Sequence, residues 1–169
     1  PALYAQFQNL EDATPILRAI PMLGFDSVFE VASAAELVSE VTRRLMKEKT
    51  LKKPVISSAC PAVVRLIRVC FPDLLENLLP INPPVEEAAR LAREHAVKET
   101  GLRPTDIGVF FISPCPAKAS YVKNGFAGYK SQVDKVVSIS DIYFLLIGKM
   151  KKDEAVEMLS SGDMTVTEI

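Results

Sequence analysis

The chain has 169 residues, 49% hydrophobic and 24% charged, a balance that excludes a disordered or fibrous polypeptide and fits a single domain. Lys and Arg number 20 against 21 Asp and Glu, a formal net charge of −1, so there is no basic footprint for nucleic acid or for an anionic membrane surface. No apolar run approaches the roughly 18 residues of a membrane span, and no signal-peptide pattern opens the chain.

In chain order, Ala13-Thr14-Pro15 reads as a helix start, with Thr14 as the cap, Pro15 at the first helical position and Gly24 closing the element. Phe25–Val31 alternates as a strand would. Ser33-Ala34-Ala35-Glu36 has the pattern of a capping box, opening a helix with apolar Leu37, Val41 and Leu45 at intervals of four. Lys47, Lys49, Lys52 and Lys53 gather at its end, where cations complement the helix dipole and face solvent. Pro54–Ser57 reads as a short buried strand and Ala62–Phe71 as a helix, followed by a stretch punctuated by Pro72, Pro80, Pro83 and Pro84. Val85–Thr100 is an amphipathic helix, with Glu86 and Glu87 in its first turn and Gly101 just past its end. Ile107–Ile112 is the strongest strand pattern, and Lys123–Lys130, with Gly125 and Gly128, reads as a loop. Val133–Ile139 is a fourth strand, Ser140 caps a helix from near Asp141, and Asp153–Leu159 is a last short helix. Strands separated by helical crossovers predict one α/β domain over residues 1–169, with a mainly parallel sheet of about four strands and helices on both faces.

One local echo concerns chemistry. Ser58-Ala59-Cys60-Pro61 and Ser113-Pro114-Cys115-Pro116 are both Ser-x-Cys-Pro, each directly after an apolar strand pattern. Ligands of open parallel sheets gather beyond the carboxyl ends of the strands, where two such cysteines can converge. Each Pro presets φ for a first helical residue, and a helix behind a Cys favours thiolate. The echo alone leaves open a second reading, in which both are buried, inert cysteines. Cys70, within the apolar run Val63–Cys70, reads as core. Three cysteines and one histidine make a formal zinc set, but no two cysteines lie two to four residues apart, and His95 lies on the Val85–Thr100 helix four residues after Leu91, a boundary position expected of a structural His, so zinc is not expected. The same odd cysteine count argues for a reducing, cytosolic setting. Gly125-Phe126-Ala127-Gly128 between Lys123 and Lys130 reads as a mobile loop before it reads as a phosphate cradle.

These residues resemble the C-terminal, H-cluster domain of the iron-only (FeFe) hydrogenase large subunit. The family's first signature, Thr-Ser-Cys-Cys-Pro, is matched by Ser57-Ser58-Ala59-Cys60-Pro61. Its second, Met-Pro-Cys-x-x-Lys, is matched by Ser113-Pro114-Cys115-Pro116-Ala117-Lys118. Leu23–Phe29 resembles the family's Leu-Gly-Phe-x-x-Val-Phe stretch, and Arg65–Leu75 and Val136–Ile142 are also similar. The resemblance implies that Cys60 and Cys115 are two of four ligands to a 4Fe-4S cluster joined to a di-iron centre, with Ser58 and Pro114 beside them. It implies that Lys118 faces a cyanide of the di-iron site. Thiolates suit iron–sulfur clusters, and an ammonium suits a negatively charged diatomic ligand.

The departures are equally specific. The first Cys of the family's Cys-Cys pair, its proton donor, is Ala59 here, and the Glu that follows the Lys by three is Tyr121, whose ordinary pKa is about 10. Nothing after Cys115 is a cysteine, so the third signature, with the other two cluster ligands, is missing. The expectation is an excised part of a longer cytoplasmic protein: inactive and cluster-free alone, completed by the rest of the H-domain and by ferredoxin-type or sensory domains, and open to self-association as a homodimer. The parent resembles the sensory branch of the family, a hydrogen or redox sensor with weak hydrogenase activity. The alternatives are an active hydrogenase with another proton path, through Ser58 or Tyr121, and a cluster-free α/β interaction module.

Overall fold

The computed structural model describes residues 2–7, 12–48, 50–125 and 130–161. They contain the helices α1 (Thr14–Ala19), α2 (Val31–Glu48), α3 (Pro61–Cys70), α4 (Pro84–Thr100), α5 (Pro116–Asn124) and α6 (Ile139–Ser161) and the strands β1 (Phe110–Ser113) and β2 (Lys135–Ser138). Two compact units are formed, one by residues 1–28 with 138–169, the other by Phe29–Val137.

In the first unit α1 packs on α6. Ile16, Ala19 and Ile20 are buried, as are Ile139, Ile142, Leu146 and Met150, which recur on one face of α6. The ring of Phe7 lies 5.2 Å from that of Tyr143. Pro15 stands in the first turn of α1 as expected, but Thr14 is already helical rather than the cap: Ala13 is the N-cap, and the Asp12 carboxylate accepts the Thr14 N–H at 2.7 Å. Gly24 ends the short 3₁₀ turn Pro21–Leu23 with φ of +99°, a left-handed conformation that glycine adopts without a Cβ clash.

In the second unit α4 is the central element. It starts at Pro84, carries Glu86 and Glu87 in its first turn and ends at Gly101, left-handed with φ of +69°. Val85 and Ala89 of α4 and Val133 form a buried cluster, with Val109, Phe111, Val122 and Val136 packed against it. On the stripe of α4 through Ala89, Arg93 lies one turn on and its side chain is nearly buried. It donates to the carbonyls of Pro104 (3.0 Å), Ile107 and Gln132 (3.0 Å) and to the Asp134 carboxylate (2.7 Å). Asp134 in turn accepts the Val109 N–H at 2.7 Å. Burial alone would raise the pKa of Asp134, but the Val109 N–H and Arg93 together hold it below the usual carboxylate range.

The class is the one expected, a helix-rich α/β fold with a small parallel sheet, but the sheet has two strands, β1 and β2, not four. The Pro54–Ser57 segment contributes an isolated parallel bridge between Ile56 and Leu78, with bonds of 2.8 Å from the Ile56 N–H to Asn77 O and from the Leu79 N–H to Ile56 O. Phe25–Glu30 forms no strand and Val31 already belongs to α2. Val28 and Phe29 are exposed, so neither face of that segment is buried, and alternation without a pairing neighbour does not make a strand. Ser33 lies inside α2 rather than capping it, with its N–H on the Glu30 carbonyl. The two C-terminal helices are one continuous α6, beginning directly after β2. Residues 126–129, the centre of the Gly125–Gly128 motif, lie outside the described residues. Among the described residues no helix is long and apolar enough to cross a membrane.

Candidate functional site

The Ser-x-Cys-Pro echo becomes a structural one. Cys60 is the N-cap of α3 and Cys115 the N-cap of α5, with nearly the same backbone, φ −104°, ψ 109° and φ −94°, ψ 110°. Each is followed by a proline in the first helical turn, where the missing N–H would have had no intrahelical partner. The Cys60 carbonyl accepts the Val64 N–H at 3.1 Å and the Cys115 carbonyl the Ala119 N–H at 3.2 Å, the first bonds of the two helices. α3 and α5 pack against each other, so two cysteines 55 positions apart begin neighbouring helices. Neither is buried: Cys60 is exposed and Cys115 half-buried. This removes the reading in which both are inert core residues.

Serines tie down both turns, but not in the same register. Buried Ser113 accepts the Cys115 N–H on its Oγ at 3.2 Å. In the first motif it is Ser57 Oγ that accepts from a residue two positions on, Ala59, at 3.3 Å, while Ser58 donates its hydroxyl to the Ile81 carbonyl at 3.0 Å. Pro114, without an N–H to tie, lies exposed between Ser113 and Cys115.

Lys118, in the first turn of α5, is half-buried with its Nζ 5.8 Å from the centre of the Phe111 ring, a cation–π contact. Among the described residues no carboxylate forms an ion pair with it. One turn further along α5 stands Tyr121, whose hydroxyl feels the carboxylate of Glu86. Burial first, and then the negative charge and hydrogen bond of Glu86, push the pKa of Tyr121 up to about 12. Ala59 lines a cleft of about 490 Å³ between α2 and the segments around Ile56 and Leu79. No lining residue is titratable: the polar ones are Ser39, Thr42, Ser57, Ser58 and Asn82.

One expectation fails. Cys70, at the end of α3, is exposed rather than core: Ile67 is the buried residue of that helix, and Val63, Leu66 and Val69 are exposed with Cys70. α5 begins on the Cys115-Pro116 step, but few apolar residues recur along Pro116–Asn124 to mark its inward stripe, so its length is not legible in the pattern. The residue that sequence reasoning missed is Glu86, taken only as a first-turn acid. It is 6% exposed and accepts the Ser131 hydroxyl (2.6 Å) and the Gln132 N–H (2.7 Å), and its charge acts on Tyr121. The available signal was its spacing: Glu86, Ala89 and Arg93 stand at i, i+3 and i+7, one helical stripe. His95 is exposed beside Glu99, at 3.2 Å, and among the described residues no three His, Cys, Asp or Glu side chains gather as a metal site.

Comparison with known proteins bears directly on this arrangement. Iron hydrogenase 1 of Clostridium pasteurianum is 27% identical over 106 residues, which are 61% of this chain and 18% of that protein. The NADP-reducing hydrogenase subunit HndD of Solidesulfovibrio fructosivorans is 30% identical over 109 residues, 59% of this chain and 19% of that one. The chain thus spans about a fifth of the length of these curated relatives. Among solved structures, the FeFe-hydrogenase HydA1 of Chlamydomonas reinhardtii superposes with a TM-score of 0.65 at 22% identity, over 80% of this chain and 36% of its own. A HydA structure describing stepwise H-cluster assembly gives 0.64 at 23% identity, over 80% and 35%. Residues 1–164 match the family described as iron only hydrogenase large subunit, C-terminal domain, and the chain belongs to that family.

Proposed function

We propose that this domain supplies Cys60 and Cys115 as two ligands of a 4Fe-4S cluster within a longer hydrogenase-like protein, and that this protein senses hydrogen or redox state rather than turning over hydrogen fast. The observation that carries the ligand assignment is the pair of N-capping cysteines, unburied and opening two packed helices, in a chain of this family. Their donor chemistry fits the group as half of a Cys₄ set, and the other half must come from other polypeptide. Once bound, the cluster and its di-iron partner would supply the electron transfer and hydrogen chemistry. This chain's own contribution is two thiolates and, at Lys118, an ammonium without a carboxylate partner among the described residues, suited to an anionic ligand.

The sensory reading rests on proton supply. Ala59 has no proton to give, the cleft it lines has no titratable group, and burial together with the coupling to Glu86 pushes the Tyr121 pKa up to about 12. Positioned proton transfer contributes about 10²–10⁴ in rate, so hydrogen turnover by the complete protein is expected to fall below that of relay-bearing relatives by about that factor. The same shift speaks against a proton path through Tyr121. In the complete, iron-loaded protein, Cys60→Ala or Cys115→Ala is expected to abolish iron–sulfur absorption. Unchanged absorption in both variants overturns the ligand assignment, and hydrogen evolution at the relatives' rate overturns the sensory reading.

A further inference from the structure

The two N-capping cysteines are placed by different means. Cys115 follows β1, which pairs with β2, and the Ser113 Oγ takes its N–H at 3.2 Å. Ahead of Cys60, segment 54–57 makes a single backbone bridge among the described residues, Ile56 with Leu78. Its two bonds, from the Ile56 N–H to the Asn77 carbonyl and from the Leu79 N–H to the Ile56 carbonyl, are each 2.8 Å. One bridge is little to hold a segment in place. Side chains extend it at both ends. Asn77 Nδ2 donates to the Pro54 carbonyl at 2.8 Å and, more weakly, to the Lys52 carbonyl at 3.5 Å. At the other end the Ser58 hydroxyl donates to the Ile81 carbonyl at 3.0 Å, two residues before Cys60.

These bonds converge on Asn77. It ends the 3₁₀ helix Pro72–Asn77, which packs on α3, and it is 3% exposed. A buried amide is costly unless its donors are met, so its orientation is set by the carbonyls that take them. With its side chain on Pro54 and its own carbonyl on Ile56, Asn77 closes the base of a loop. That loop, residues 58–77, starts at Ser58 and contains Cys60 and the whole of α3. The Lys52–Glu76 ion pair lies beside the closure at 2.9 Å, but a pair so exposed adds little. We infer that Asn77 and Ser58 are positioning residues: they clamp segment 54–58 along residues 77–81 and so set where Cys60 stands. This deepens the cluster-ligand reading and rests on it for its functional meaning, but the positioning itself belongs to the metal-free chain.

The experiment therefore uses the full 169-residue chain without iron. Cys70→Ser and Cys115→Ser leave Cys60 as the native thiol, and Lys98→Cys, at an exposed position on α4, supplies a reference. Nitroxide labels on the two thiols report the distribution of their separation by double electron–electron resonance. Amide hydrogen exchange at Ile56 and Leu79 reports the bridge itself. Losing a buried hydrogen bond should let the segment open more often, so Asn77→Ala is expected to speed exchange at both amides about tenfold and to broaden the label distribution about twofold. Ser58→Ala is expected to broaden it in the same direction. Val133→Ala, which thins the buried Val85–Ala89–Val133 cluster without touching the clamp, is expected to lower the Tm and leave the width unchanged, which separates positioning from general destabilisation. An unchanged width in Asn77→Ala, or an equal broadening in Val133→Ala, overturns the inference. Should Asn77→Ala fail to fold, Ser58→Ala, which removes one hydroxyl, decides by the same width. Because no iron is involved, a failure of the cluster assignment in the complete protein would leave this result standing, and the reverse also holds.

Discussion

At the scale of single residues, the second unit is held by two opposite charges on one stripe of α4. Arg93 serves three carbonyls and Asp134, and Glu86 serves Ser131 and Gln132. The Arg93–Asp134 pair has a definite pH signature. The folded pKa of Asp134 is depressed, so its contribution is present above the ordinary carboxylate pKa of about 3.9 and is lost as pH falls through the lower folded value. Asp134→Asn is expected to lower the Tm at neutral pH and to flatten its fall on acidification below about pH 4, which thermal melts across that range would check. A melting curve with the same acid slope in both proteins would assign the sensitivity elsewhere. Arg93 and Glu86 have the same reason for escaping notice in a linear reading: a charge at a helix position says nothing about burial until the acceptor or donor from another segment is known.

At the scale of elements, the legible features were the punctuated ones. Pro84 and Gly101 bracket α4, Gly24 closes the first helical segment, and each Cys-Pro begins a helix. These are local because a fixed φ or a left-handed glycine is a property of one residue. The strands fared worse, since Phe25–Val31 and Pro54–Ser57 have strand-like patterns and only the second finds even a single bridge partner. The pairing of α1 with α6 joins the two ends of the chain, a contact that no local pattern announces. It depends on Leu146, fully buried on α6. Leu146→Ala is expected to cost about 2–5 kcal/mol, read by urea denaturation followed through helix content. Phe144→Ala, on the exposed side of the same helix, should change stability by no more than about 0.5 kcal/mol.

At the scale of the molecule, the proposed function gives this chain two of a cluster's four thiolate ligands. Iron and sulfide added to the 169-residue chain alone are expected to leave no cluster that survives gel filtration, with iron content and visible absorption as the measure. Retention of four irons per chain would show that the two thiols find their missing partners within or between copies. The sequence by itself determined the family, through two ordered signatures, and set out the two thiols, Lys118 and the substituted positions Ala59 and Tyr121 as candidates, because such chemistry is written in residue identity and short spacing. It also determined the α/β class and the helices that begin or end on Pro and Gly. Only the tertiary structure decided that the two cysteines open packed helices and are unburied, that Cys70 is not core, that the sheet of the described residues has two strands, and that Glu86 is buried on Ser131 and Gln132. Those outcomes depend on which distant segments meet, and burial, pairing and hydrogen-bond satisfaction are settled by both partners of a contact together.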